Sequence, residues 1–210
     1  MRENLRFTFT GLMLVLMAAS PVRAALPIDG VGDVGACPTR GIIKLKPALV
    51  AGGTEATTIK VITKAPKGFE GPCPGATGDG LNVVKAKGKG EGTSATNDCG
   101  NLAGTQPNNI VLTVKWKTLP GTPKLNPSTI TLTTQTGGAS GNLHGTFDVA
   151  GTVTAGSFLG NNVTASLETD QALSEVGAAC QGKGLKKITF GIKASKADDV
   201  IGSGTVTINQ

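Results

Sequence analysis

The feature that most constrains this chain is a two-residue period in its hydropathy. In "IVLTVKWKT", residues 110–118, Val114 and Trp116 alternate with Lys115 and Lys117, and in "GIIKLKPAL" Ile43 and Leu45 alternate with Lys44 and Lys46. An extended backbone sends successive side chains to opposite faces, so each stretch is a strand with one apolar and one wetted face. The nearly continuous apolar runs of buried parallel strands are absent, which points to antiparallel pairing. The same pattern recurs in "ATTIKVITK", "NVVKAKGKGEG", "STITLTTQT", both halves of "GTFDVAGTVTAGSFLGNNVTASLETD", "LKKITFGIKA" and "GSGTVTI". That makes about nine strands. Turn residues separate them, among them Gly52-Gly53, Pro120-Gly121, Asn126-Pro127 and Gly137-Gly138. Beyond one helical turn expected at "ETDQALSEVGAA", no stretch carries helical periodicity, and 31 glycines with many threonines and valines agree with short strands. The expected fold is a single all-β domain over residues 37–210, either an antiparallel β-sandwich or a closed β-barrel. The alternation fits both.

Residues 1–24 read as a secretory signal peptide. Arg2 and Arg6 precede an apolar run that ends in small residues, and cleavage after Ala24 leaves Val22 and Ala24 at the small-residue positions. The run is shorter than the roughly 20 residues of a membrane-spanning helix, and no later segment could form one. Losing Arg2, Glu3, Arg6 and Arg23 lowers the formal net charge from +6 to +4. Residues 25–36 are expected to be a flexible N-terminal arm. The export signal implies a secreted or periplasmic location, where thiols oxidise. Cys37, Cys73, Cys99 and Cys180 are therefore expected to form two disulfides. The spacing favours Cys73 with Cys99, closing the glycine-rich excursion between them. It also favours Cys37 with Cys180, whose flanks "CPTRGIIKL" and "CQGKGLKKI" look alike and would sit at neighbouring strand starts.

The stretch from Gly145 to Asp170 is the clearest two-strand unit in the sequence. Phe147, Val149, Val153, Val163, Ala165 and Leu167 fall on one face, and Gly156 and Gly160 relax the connection between the strands. Phe158, between those glycines, is expected to plug the end of the core. Asn162, in an N-x-T sequon, is expected to be exposed. With its "GTVTAGSFLGNNV" spacing, the region 145–167 resembles a broad group of uncharacterised secreted bacterial proteins rich in glycine and threonine. The resemblance implies a small extracytoplasmic β domain from a bacterium and brings no catalytic residue with it.

The chain offers little to catalysis. His144 is the only histidine, no nucleophile elbow accompanies it, and Asp148, Glu168 and Asp170 read as polar residues of a hairpin. No C-x-x-C pair or calcium loop suggests a metal, and no cofactor motif occurs. One Trp, no Tyr and six Phe provide too few stacking platforms for nucleic acid. Trp116, in phase with Val114, reads as a core residue. Lys85, Lys87 and Lys89 alternate through "KAKGKGEG" and are the candidate contacts for an anionic component of the cell envelope. Lys183, Lys186, Lys187, Lys193 and Lys196 crowd the last third. Two functions follow: non-enzymatic binding or surface association at the envelope and, as the alternative, a β-barrel carrier of a small apolar ligand.

Overall fold

The computed structural model describes residues 26–107, 109–139, 143–191 and 204–210. Residues 1–24, expected to be a signal peptide, and Lys193 and Lys196 lie outside the described residues. The chain forms one antiparallel sheet of ten strands. They are β1 (Gly35–Leu49), β2 (Thr57–Lys64), β3 (Val83–Ser94), β4 (Gly104–Pro107), β5 (Val111–Thr118), β6 (Ser128–Ala139), β7 (His144–Ala155), β8 (Asn162–Ala172), β9 (Leu185–Phe190) and β10 (Gly204–Asn209). All nine expected strands are present, and the short β4, which pairs with the end of β6, is the addition. The helical turn expected after β8 is helix α1 (Leu173–Gln181), where the Glu175 carboxylate accepts the Ala172 N–H at 3.2 Å.

The sheet curls until its two ends meet on one strand. Along one edge β1 pairs with β2; along the other, residues 35–39 pair with β10 and residues 41–49 with β9. Eight strands, in the order β1-β2-β3-β5-β6-β7-β8-β10, thus form a ring around the core. Where β9 replaces β10 beside β1, no ladder joins β9 to β8 among the described residues, so the barrel is not strictly closed there. Strand tilt and curvature are needed to roll a sheet this way, and glycine relieves crowding on its concave side. In "KAKGKGEG" the lysines take the outward positions and the glycines the inward ones. A methyl group on Gly90 would come within 2.7 Å of the Leu112 side chain, and one on Gly92 within 2.7 Å of Ile110. The strand lies bare so that its neighbour's side chains can lean over it.

One end of the barrel is plugged. Phe158 is 1% exposed, and its ring meets Trp116 edge-on with centroids 5.3 Å apart. To get there its backbone takes a φ of 62°, in the left-handed region disfavoured for a bulky residue. The compensation is local. The Phe158 N–H donates to the Gly30 carbonyl at 2.7 Å, the Asn161 N–H donates to the Phe158 carbonyl, and Trp116 Nε1–H donates to Ser128 Oγ at 2.8 Å. Ser128, fully buried, donates its own hydroxyl hydrogen bond to the Ser157 carbonyl. Every polar group named in this plug has a partner, as burial requires.

Two expectations need correction. The described part of the segment expected to be a flexible arm is seated across the plugged end: the Gly30 N–H donates to Ser157 Oγ at 3.0 Å, Asn161 Nδ2 donates to the Gly32 carbonyl at 2.8 Å, and Val34 is 1% exposed. Its weak apolar pattern hid a contact made mainly by backbone groups. The disulfides are Cys37–Cys73 and Cys99–Cys180, not the pairs favoured by the spacing. β1 and β9 are neighbours, as the similar flanks suggested, but antiparallel, so Cys37 and Cys180 sit at opposite ends of the barrel. Likewise Cys73 precedes β3 and Cys99 follows it, and 12 extended residues span roughly 40 Å. Each bridge clamps one end instead, Cys37–Cys73 at the plug and Cys99–Cys180 at the other.

Candidate functional site

The fully buried inward residues fall into two clusters, bridged by the half-buried Ile43, Ile59, Val149 and Val206, which pack against both. One cluster holds Val34, Val61, Leu112, Ile130, Leu132, Val153 and Phe158, and a second holds Leu45, Leu49, Phe147, Leu167, Ile188 and Phe190. Between the clusters lies a cavity of about 440 Å³ whose walls come from both, including Leu112 and Leu132 on one side and Leu45 and Phe147 on the other. The cause is in the sequence. The inward positions carry β-branched and small residues, Ile59, Val149, Val163, Ala165 and Val206 among them, and β3 contributes glycines there. Such side chains line an eight-stranded ring without filling it.

The cavity reaches solvent at the end opposite Phe158. Its rim is built from Thr93–Thr96 at the end of β3 and just beyond it, the 3-10 turn Cys99–Leu102, β4 and Asn109. Several hydrogen bonds hold this rim in shape. Asn101 Nδ2 donates to Thr96 Oγ1 at 2.9 Å, the Thr93 N–H donates to Asn109 Oδ1 at 2.9 Å, and Gln135 Nε2 donates to the Asn101 carbonyl at 3.4 Å. Asn97, 6% exposed, anchors the loop to the β1–β2 hairpin by donating to the Ala48 carbonyl and accepting the Glu55 N–H. Cys99–Cys180 fixes the same loop to α1. Among the described residues, none that lines the cavity is Asp, Glu, Lys, Arg or His. The chemistry on offer is mainly apolar contact inside, with the Thr39 and Thr63 hydroxyls deeper in the wall and more hydroxyls and carboxamides at the mouth.

The residues singled out by sequence fall elsewhere. Lys85, Lys87 and Lys89 lie on the outer wall, away from the cavity; Lys87 and Lys89 are exposed, and Lys85 is half-buried with its ammonium 3.7 Å from Glu70. Register brings to them a set of cations that sequence could not connect. Lys87 is flanked by Lys64 and Lys115, and Lys85 by Lys117. Trp116 is half-buried, held by Phe158 and Ser128. His144 is engaged through Nδ1 with the Thr169 carbonyl at 2.8 Å. Asp148 is exposed opposite Ser166, whereas Asp170 is only 5% exposed. Asn162 is exposed at the start of β8, as expected of the sequon. The cavity itself had no signature beyond small residues at inward positions. In comparisons with family models, curated proteins and solved structures, nothing matches this chain.

Proposed function

We propose that the protein is an extracytoplasmic, non-enzymatic carrier that holds one small, predominantly apolar ligand inside the barrel. The observation that carries this reading is the cavity of about 440 Å³, lined mainly by apolar residues of both buried clusters. Small-ligand sites commonly occupy 300–1,000 Å³ and are apolar with a few oriented polar groups, which is the character of this interior and its rim. The ligand is uncharged where it is buried, because an ion there would meet no counter-charge and its desolvation would be uncompensated. A hydroxyl or amide end would lie at the mouth, near Asn101 and Gln135. Export is supported by the leading segment and by two disulfides, which persist in oxidising compartments.

Thermal unfolding with a panel of long-chain alcohols, fatty amides and polycyclic neutral lipids tests the proposal. A ligand held only by the folded state adds about 2.7 kcal/mol at a hundredfold excess over its Kd, and so raises the melting temperature. At least one neutral member should do so. A flat response across the panel would remove the carrier reading.

A further inference from the structure

The outer wall of the barrel is divided by charge. On β1, β2, β3 and β5, which are consecutive around the ring, the cations are Arg40, Lys44, Lys46, Lys60, Lys64, Lys85, Lys87, Lys89, Lys115 and Lys117, against the single acid Glu91. On β6, β7, β8 and β10, which complete the ring, there is no lysine or arginine, and the outward rows read Thr131-Thr152-Asn162-Asn209 and Thr136-Asp148-Ser166-Thr205. The two halves share the same fold and the same need for a wetted outer face. Threonine meets that need on one half, so solubility alone does not call for the lysines on the other.

The arrangement works against stability. Register aligns Arg40, Lys64, Lys87 and Lys115 directly across four strands, and Lys85 opposite Lys117 beside them. Like charges facing each other across a ladder repel and destabilise the pair. The ion pairs nearby are exposed, Lys60 with Glu91 at 3.5 Å and Lys85 with Glu70 at 3.7 Å. Among the described residues, none involves Lys64, Lys87, Lys115 or Lys117. The row is a line of positive charge with a step of about 4.8 Å, the strand spacing.

We propose that this half of the wall binds a linear acidic polysaccharide, whose carboxylates lie along the row Arg40-Lys64-Lys87-Lys115 and its neighbour Lys85-Lys117. Two other polyanions fit less well. A membrane surface would call for apolar groups to insert, and the one large exposed apolar side chain on these four strands is Val111. Nucleic acid would call for exposed aromatic platforms, whereas the one aromatic ring on these strands, Trp116, is occupied by Phe158. Both rows sit toward the plugged end, so a bound polymer leaves the cavity mouth at the opposite end uncovered. This site stands independently of the carrier reading.

The test measures binding of sodium polygalacturonate to the mature protein at low salt, with dextran, phosphatidylglycerol-containing vesicles and a single-stranded oligonucleotide as the other arms. Polygalacturonate should bind, weakening as salt rises, and dextran should not. Replacing Lys64, Lys87 and Lys115 by Thr should weaken binding on the order of tenfold and flatten its salt dependence, since three counter-ion-releasing contacts are lost. The control Lys124→Thr with Lys183→Thr, off the rows, should bind as the parent does. Threonine is favoured on exposed strand positions, so the triple variant should unfold at the same temperature or a higher one. As a second variant, K87E should weaken binding with a single change. No binding of polygalacturonate, equal loss in the control, or tighter binding to vesicles or oligonucleotide would overturn the proposal.

Discussion

The two ends of this barrel are made from the same kinds of residue and do opposite things with them. At the plugged end Val34, Val153 and Phe158 are each 1% exposed, and Ser128 and Ser157 are wholly buried with hydrogen bonds. At the other end the walls stand apart around about 440 Å³, and most of the polar lining residues lie on the rim. The plugged end has what the open end lacks, a large ring brought in from a turn and a chain segment laid across it. One end is thus packed and the other left open, so on the proposed carrier reading substitutions should separate stability from binding.

The largest effect is expected from Phe158→Ala. Removing a buried aromatic ring costs about 3–5 kcal/mol, and Trp116 loses its edge-on partner as well. Urea unfolding followed by Trp116 fluorescence measures both; a loss under about 1 kcal/mol would mean the plug is not where stability resides. Next comes the bridge at the mouth. Replacing Cys99 and Cys180 by Ala opens a cross-link across 81 residues and should cost about 2–4 kcal/mol. Hydrogen exchange should rise first in residues 95–102 and α1 while the plug stays protected, and uniform loss of protection would contradict the separation of the ends. The smallest stability effect belongs to Ile59→Trp. Ile59 faces the cavity, so the larger ring enters open space; the cost should stay below about 1.5 kcal/mol instead of the usual overpacking penalty, while ligand-induced stabilisation disappears.

Much of the wall was legible in the sequence because strand alternation is a local property. Ile43 with Lys44 and Val114 with Lys115 declare their faces without reference to any partner, and Phe158 between two glycines declared itself a plug. The rest depends on which strand lies beside which. The disulfide pairing failed because similar flanks at Cys37 and Cys180 do not tell strand direction, and β1 runs antiparallel to β9. Lys87 was visible as a candidate, but its neighbours Lys64 and Lys115 are 23 and 28 residues away and join it only through register. The cavity was hidden for a similar reason. Ile59, Ala165 and the glycines of β3 look like ordinary inward positions, and only closure of the ring leaves space between them. The seated arm escaped notice because backbone groups make its contacts, and these carry no hydropathy signal.

The central claim is that the interior is a binding site at one end and a packed core at the other. The most direct measurement is methyl NMR of the mature protein titrated with a neutral ligand that raises its melting temperature. The account predicts saturable shifts for Ile59, Leu112, Leu132 and Leu45 on the two cavity walls, with Val34 and Val153 at the plugged end unmoved. Shifts confined to methyls of the outer wall and its loops, such as Val111 and Leu143, with the cavity methyls unmoved, would contradict it.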